Sequence, residues 1–203
     1  MIVVISEVFN MGKIREGKLL YHLTQLSNLD SIISHGLVPR SVLEQHGTFF
    51  SDVADSEIMR KRKAFGLDAY IPFHFHPYSS FDVAVKNSYD EDFVYICISR
   101  IFARRNGFLI LPKHPLSAHE VILMEYDDGV NAIDWDAMER SSTEAEYIKN
   151  VRMAECLTQE PIPVTSFFSI AVKDMETKRI VEEKLQYIPG QKPFVNIMPW
   201  CNI

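Results

Sequence analysis

Cysteine is scarce in this chain. It has three, Cys97, Cys156 and Cys201; the count is odd and no CxxC pair occurs, which argues against a disulfide framework and a cysteine-based zinc site. Long apolar runs are missing too, and none approaches the ~20 residues of a membrane span. The opening MIVVISEVFNMGKIREGK has no basic segment ahead of its short apolar run and no small-residue cleavage site, so it does not read as a signal peptide. A soluble cytoplasmic protein without a membrane partner is the expectation. Met11 is a second candidate start, which leaves residues 1–17 little weight. No GxGxxG follows a strand and no GxxxxGK[ST] occurs, so the usual phosphate-cradling loops are absent. Positive charge is in deficit, 21 Lys and Arg against 27 Asp and Glu for a net charge of −6. No global field therefore draws the chain to nucleic acid, and any such site must be a local patch. MRKRK at 59–63 and RIFARR at 100–105 are the two candidates.

What is present suits a globular fold. The 203 residues are 47% hydrophobic and 11% aromatic, enough for one domain with a real core. No repeat or low-complexity linker divides them. Strands are predicted at KLLYHLT (18–24), AYIPFHFHP (69–77), DFVYICISR (92–100), EVILMEY (120–126), SFFSIAV (166–172) and KPFVNIM (192–198). Pro72 and Pro77 predict that the second of these lies at an edge or a bend. Helices are predicted at SNLDSIISHGL, with Ser27 as N-cap and Gly36 as stop, at ADSEIMRKRKAFG, over 143–160 as the longest, and at METKRIVEEKL (175–185). Strands and helices mix without a βαβ rhythm, which points to an α+β fold with a largely antiparallel or split sheet.

Several polar groups stand out. His22 and Thr24 in YHLT share one strand face, ~7 Å apart, and can grip a ribose or an amide; from spacing alone a wet strand face is the simpler reading. His74 and His76 also share a face, an i, i+2 pair able to bind metal with a third ligand. His22, Asp52, Asp55 and Glu155 are scattered without metal spacing, and an open strand face is the simpler reading of the pair. Phe73 and Phe75 alternate with them toward the core. MRKRK is a phosphate contact or a solvated helix face. His35, His46, His114 and His119 read as surface or loop. Glu155 is the anomaly: on a wheel of ~100° per residue with Tyr147 at zero, it falls at about 80°, between Val151 and Ile148. A carboxylate inside an apolar arc either snorkels past its edge or is buried with a partner.

Three stretches, in order, carry a resemblance: YHLTQLSNLDSIISHGL, RKRKAFGLDAYIPFHFHPYSS and RMAECLTQEPIP. Together they resemble the DarT family, toxin-type ADP-ribosyltransferases that use NAD to modify bases of single-stranded DNA. The resemblance spans roughly residues 19–200; Y-[IV]-P-F-x-F-x-P-x-S and R-x-x-A-E-x-L are its specific parts, whereas the H-x-T strand and short helix recur across ADP-ribosyltransferase folds. It implies one ADP-ribosyltransferase-like domain over 1–203, with 1–17 as a candidate extension, built on a split, largely antiparallel sheet with flanking helices. It matches Glu155 to the catalytic glutamate and Arg62 to the catalytic arginine, with Arg60 as the alternative within RKRK. It matches His22, Thr24, Asn28 and Tyr70 to NAD-binding positions. NAD is then a substrate, no metal is needed, single-stranded DNA carrying a thymine or guanine is the acceptor, and a macrodomain antitoxin is the expected partner of a toxin in a toxin–antitoxin or anti-phage system. RNA as acceptor, a catalytically degenerate NAD-fold binding module and, more distantly, a hydrolase using metal on His74 and His76 are the alternatives. The chain departs from the family pattern at His74 and His76, where an aromatic or small residue is usual, at YSSF, where RSPM or FSPM is common, and in the short segment between Arg62 and Tyr70.

Overall fold

The run FVYICIS becomes β3 (Phe93–Ser99), buried along nearly its whole length because elements cover both faces. Val94, Ile96 and Ile98 enter one apolar cluster, and Phe93, Tyr95 and Cys97 enter another, as the two-residue period of a strand requires. The computed structural model describes residues 13–47, 50, 56–77, 79–88, 90–114, 121–140 and 145–198, with backbone alone at 56, 57, 80 and 81. Asp52, Asp55, His119, Glu144 and Cys201 lie outside the described residues.

The other strands are β1 (Leu19–Gln25), β2 (Ile71–His74), β4 (Leu109–Leu111), β5 (Glu155–Thr158), β6 (Ser169–Val172) and β7 (Phe194–Ile197). They form one seven-stranded sheet in the order β4-β5-β2-β1-β3-β6-β7, antiparallel except for β6 with β7. The α+β class and the largely antiparallel sheet agree with the sequence.

Of the two placements expected for this strand, the edge is not found, since β2 lies between β5 and β1; the bend is, as the chain bends over 75–77, which includes Pro77. Pro72 survives there because β1 and β2 pair at a single position, Tyr21 with His74, whereas β2 pairs with β5 along four. The Pro72 carbonyl faces β1, where it accepts the imidazole Nδ1–H of His22 at 2.8 Å. A residue's N and C=O point to the same side of a strand, so the missing N–H of Pro72 falls where the ladder is already open. That opening is the split in the sheet.

The helix expected over 143–160 is only α8 (Glu146–Arg152); the chain turns at Met153 and Ala154, and Glu155 opens β5. Ala, Glu and Leu favour helix, but AECLT completes ladders to both β2 and β4, and tertiary pairing overrides propensity. All four β5 residues are buried, so no alternation betrayed the strand. EVILMEY is not a strand either: within its described residues Met124 makes one bridge to Ile110, and α6 (Tyr126–Ala132) begins at Tyr126.

Among the described residues the longest helix is α9 (Met175–Leu185), capped by the Asp174 carboxylate on Thr177 N. The other early helices are α1 (Leu29–His35), stopped by Gly36 at φ 82°, α2 (Arg40–Gln45) and α3 (Ser56–Ala64). Ser27 is not the cap of α1; a 3-10 turn over Leu26–Asn28 makes Asn28 the preceding residue. α4 (Ser80–Ser88), α5 (Arg100–Arg105) and α7 (Trp135–Met138) complete the set.

Within RIFARR, Arg100 is a structural clamp, while Arg104 and Arg105 are exposed. Arg100 donates to the carbonyls of Ile14, Arg15, Leu19 and Phe75 and stacks on Phe75 and Trp135. It thereby ties down Ile14–Glu16, which the sequence had set aside with the N-terminal extension. Arg104 is paired with Asp127.

Candidate active site

The cleft lies at the split, where side chains from both faces of the sheet can meet. Cross-strand partners share a face, so Tyr21, His74 and Glu155 stand on one side, whereas His22 and Thr24, alternating with Tyr21, stand on the other. Yet His22, Thr24, Asn28, Arg62, Tyr70, His74, Asp82, His114 and Glu155 all line one cavity. The structure thus brings together the six residues that the resemblance assigns to the site, Glu155, Arg62, His22, Thr24, Asn28 and Tyr70.

Glu155 is 3% exposed. Its Oε1 accepts Arg62 Nη1 at 2.7 Å, while its Oε2 and Arg62 Nη2 are buried without a partner among the described residues. Burial pushes the carboxyl up. The Arg62 charge, His74, the Arg62 hydrogen bond and His114 together outweigh it, and the group is held below the ordinary carboxylate range. It is therefore a standing negative charge at neutral pH. Arg62 reaches it because Ile58 and Met59, four and three residues earlier, share its face of α3 and also line the cleft. Arg60 is exposed and does not line the cleft.

His22 spans the split. A carbonyl can only accept, so Nδ1 carries the hydrogen bonded to Pro72 O, and burial holds the ring neutral, its pKa pushed down to about 4. Nε2 is then a free lone pair. The ring packs on Phe73 at 5.6 Å between centroids. Thr24 Oγ1 accepts Asn28 Nδ2 at 3.1 Å, so the two polar positions support one another. Tyr70 lines the cleft while packing beside Leu67, Leu111 and Leu157.

His74 and His76 are not on a wet face; they are 8% and 3% exposed. His76 Nε2 donates to the Arg152 carbonyl at 3.0 Å, with its pKa pushed down to about 3 by burial, Arg152 and His74. Among the described residues no three His, Cys, Asp or Glu side chains gather to hold a metal. His114 is not a surface residue. It is partly buried in the cleft, its pKa lowered to about 4 by burial against the pull of the Glu155 carboxylate.

Sequence reasoning also missed Gln25, Arg40 and Asp82, which line the same cavity. Asp82 had a readable signal. Ser79-x-x-Asp82 is a capping box at the start of α4: Ser79 Oγ accepts Asp82 N, and Asp82 Oδ2 accepts Ser79 N.

No described helix is long and apolar enough to cross a membrane. Among proteins of curated function none matches the sequence. Solved structures do match in fold. Thermus sp. 2.9 DarT in complex with ADP-ribosylated ssDNA gives a TM-score of 0.78 at 20% identity, over 89% of this chain and 94% of that one. The same protein in complex with NAD+ gives 0.71 at 20% identity, over 90% and 96%. Thermosipho africanus DarTG in complex with ADP-ribose gives 0.68 at 16% identity, over 90% of this chain and 50% of that one. The family model described as "ssDNA thymidine ADP-ribosyltransferase, DarT" matches residues 21–202, and the chain belongs to the DarT family of ADP-ribosyltransferases.

Proposed function

We propose that this protein transfers ADP-ribose from NAD to a thymine or guanine of single-stranded DNA, with Glu155 and Arg62 as its catalytic residues. The observation that carries the reading is the buried Arg62–Glu155 pair in a cleft shared with His22, Thr24 and Asn28. The bound ligands of the Thermus structures, NAD+ in one and ADP-ribosylated ssDNA in another, support it, as does the family description.

Transfer breaks the bond between nicotinamide and ribose, and positive charge develops on the sugar. A fixed carboxylate in a buried site stabilises that charge without reorganising. Because Glu155 is held below its ordinary range, it is a weak proton acceptor at neutral pH, and the electrostatic role fits it better than general-base catalysis. Arg62 Nη2 is the donor left for a diphosphate or base oxygen; a guanidinium fork suits both. His22, with Nδ1–H committed to Pro72, offers Nε2 to a ribose hydroxyl, and Thr24 and Asn28 fix the same half of NAD. Tyr70 supplies a stacking face, worth ~1–3 kcal/mol for an exposed base. A single-stranded acceptor avoids the cost of base flipping.

The DarTG match supports reading the protein as a toxin with a partner; that the partner is a macrodomain antitoxin and that the toxin acts in the cytoplasm are further parts of the proposal. The test uses labelled NAD and oligonucleotides of each base, as DNA and as RNA. Label on thymine or guanine of DNA is the expected result; label confined to RNA moves the acceptor, and no label on any oligonucleotide with NAD still bound overturns the proposal.

A further inference from the structure

Asp82 and His74 remain unused by this chemistry. Asp82 is 1% exposed and His74 8%; both line the cleft. The capping box consumes Asp82 Oδ2, but Asp82 Oδ1 and His74 Nδ1 are buried with no partner among the described residues. Leaving two such atoms unpaired is costly, and both elements hold their side chains in place: α4 through its box, and β2 through the pairing of His74 with Tyr21 and Glu155.

We propose that Asp82 and His74 form a recess for a planar amide edge, with Asp82 Oδ1 accepting the amide N–H and His74 Nδ1–H donating to its carbonyl. The inference rests on the ADP-ribosyl-transfer reading of the cleft. In that reaction two groups bearing this edge come close to the ribose carbon beside Glu155: the carboxamide of the departing nicotinamide, and the ring N–H and C=O of a thymine or guanine acceptor. His74, as the cross-strand neighbour of Glu155, stands where either would lie.

Asp82→Asn tests the recess with little structural cost. The new amide oxygen can still cap Ser79 N, while an NH2 takes the place of Oδ1 and turns an acceptor into a donor. His74→Phe removes Nδ1 and keeps the bulk of the ring. KM is measured for NAD, for its nicotinic-acid analogue, whose carboxylate has no N–H, and for the oligonucleotide, alongside Tm. A rise of about 10-fold or more in KM for NAD, with the preference for NAD over the analogue narrowed in Asp82→Asn, assigns the recess to nicotinamide. Unchanged NAD constants with a similar rise for the oligonucleotide, or a changed base preference, assign it to the acceptor. Constants within about 2-fold of wild type in both variants, or a fall in Tm with the discrimination intact, overturn the proposal. If wild type transfers to no acceptor, the broader reading has failed instead. Titration of wild type and Asp82→Asn with free nicotinamide and free deoxynucleosides then decides the recess alone: weakened binding of either upholds it, and equal or absent binding overturns it.

Discussion

Arg62 Nη1 lies 2.7 Å from Glu155 Oε1, across 93 residues of sequence, and the carboxylate is almost wholly buried. A helix supplies the cation and a strand supplies the anion, so the pair joins α3 to the sheet as well as serving chemistry. Removing one partner of such a pair costs more than the pair contributes, because the other charge stays buried.

Arg62→Ala is therefore expected to lose transfer activity by two orders of magnitude or more and to destabilise the fold by about 2–4 kcal/mol. Arg60→Ala, at an exposed position, stays within about 0.5 kcal/mol of wild type and keeps its activity. Urea denaturation and transfer rates measured side by side check both; the reverse ranking would move the catalytic arginine to Arg60.

Acid weakens the fold before ordinary carboxylates titrate. The pKa values of His22 and His76 are lowered to about 4 and about 3, so between pH 6.5 and those values the unfolded chain binds protons that the folded chain refuses. Stability falls with pH there, by up to about 1.4 kcal/mol per pH unit per histidine. Glu155, lowered in the fold, adds a loss of the same sign at lower pH. Tm across pH 4–7.5 should decline on the acid side, and His76→Phe should flatten that decline; a flat wild-type profile from 6.5 to 4.5 would contradict it.

Gly129→Ala is expected to destabilise by about 1–3 kcal/mol. A Cβ there would stand 2.3 Å from Ile110 Cβ on β4, which pairs with β5 beside Glu155. Gly36→Ala meets both a left-handed φ and the Ile162 carbonyl at 2.8 Å and should be at least as costly. Thermal melts check both, and wild-type stability in either would mean that these elements are less closely packed than described.

Cys97 and Cys156 are buried, and burial pushes both thiols up, Cys97 to about 12. Thiolates are the reactive form, so neither thiol should react with a disulfide reagent in the native protein. Mass spectrometry of briefly labelled native protein checks this; rapid modification of either would show local opening of β3 or β5.

Much of this was legible in the sequence, for identifiable reasons. β3 advertised itself by a continuous apolar run, and β1 and α9 lie where the sequence placed a strand and a helix. Glu155 was rightly singled out as an inward carboxylate, but on the wrong element. β5 is buried throughout and lacks a period, and ladders on both sides overrode a helical composition. Pro72 pointed away from the sheet interior because the split that accommodates it depends on how β1 and β2 diverge. The capping box of Ser79 and Asp82 was readable from its spacing, whereas the burial of His74 and the placement of Asp82 and His114 in the cleft depend on packing between distant segments, which spacing along the chain does not encode.

Glu155 is expected to act on the transition state rather than on NAD binding. Glu155→Gln preserves the side-chain shape and an acceptor for Arg62 Nη1. In single-turnover transfer to the preferred oligonucleotide, with NAD affinity measured in parallel, NAD should bind within a few-fold of wild type while the transfer rate falls at least ~10²-fold. Transfer at the wild-type rate, or loss of rate explained wholly by lost NAD affinity, would contradict it.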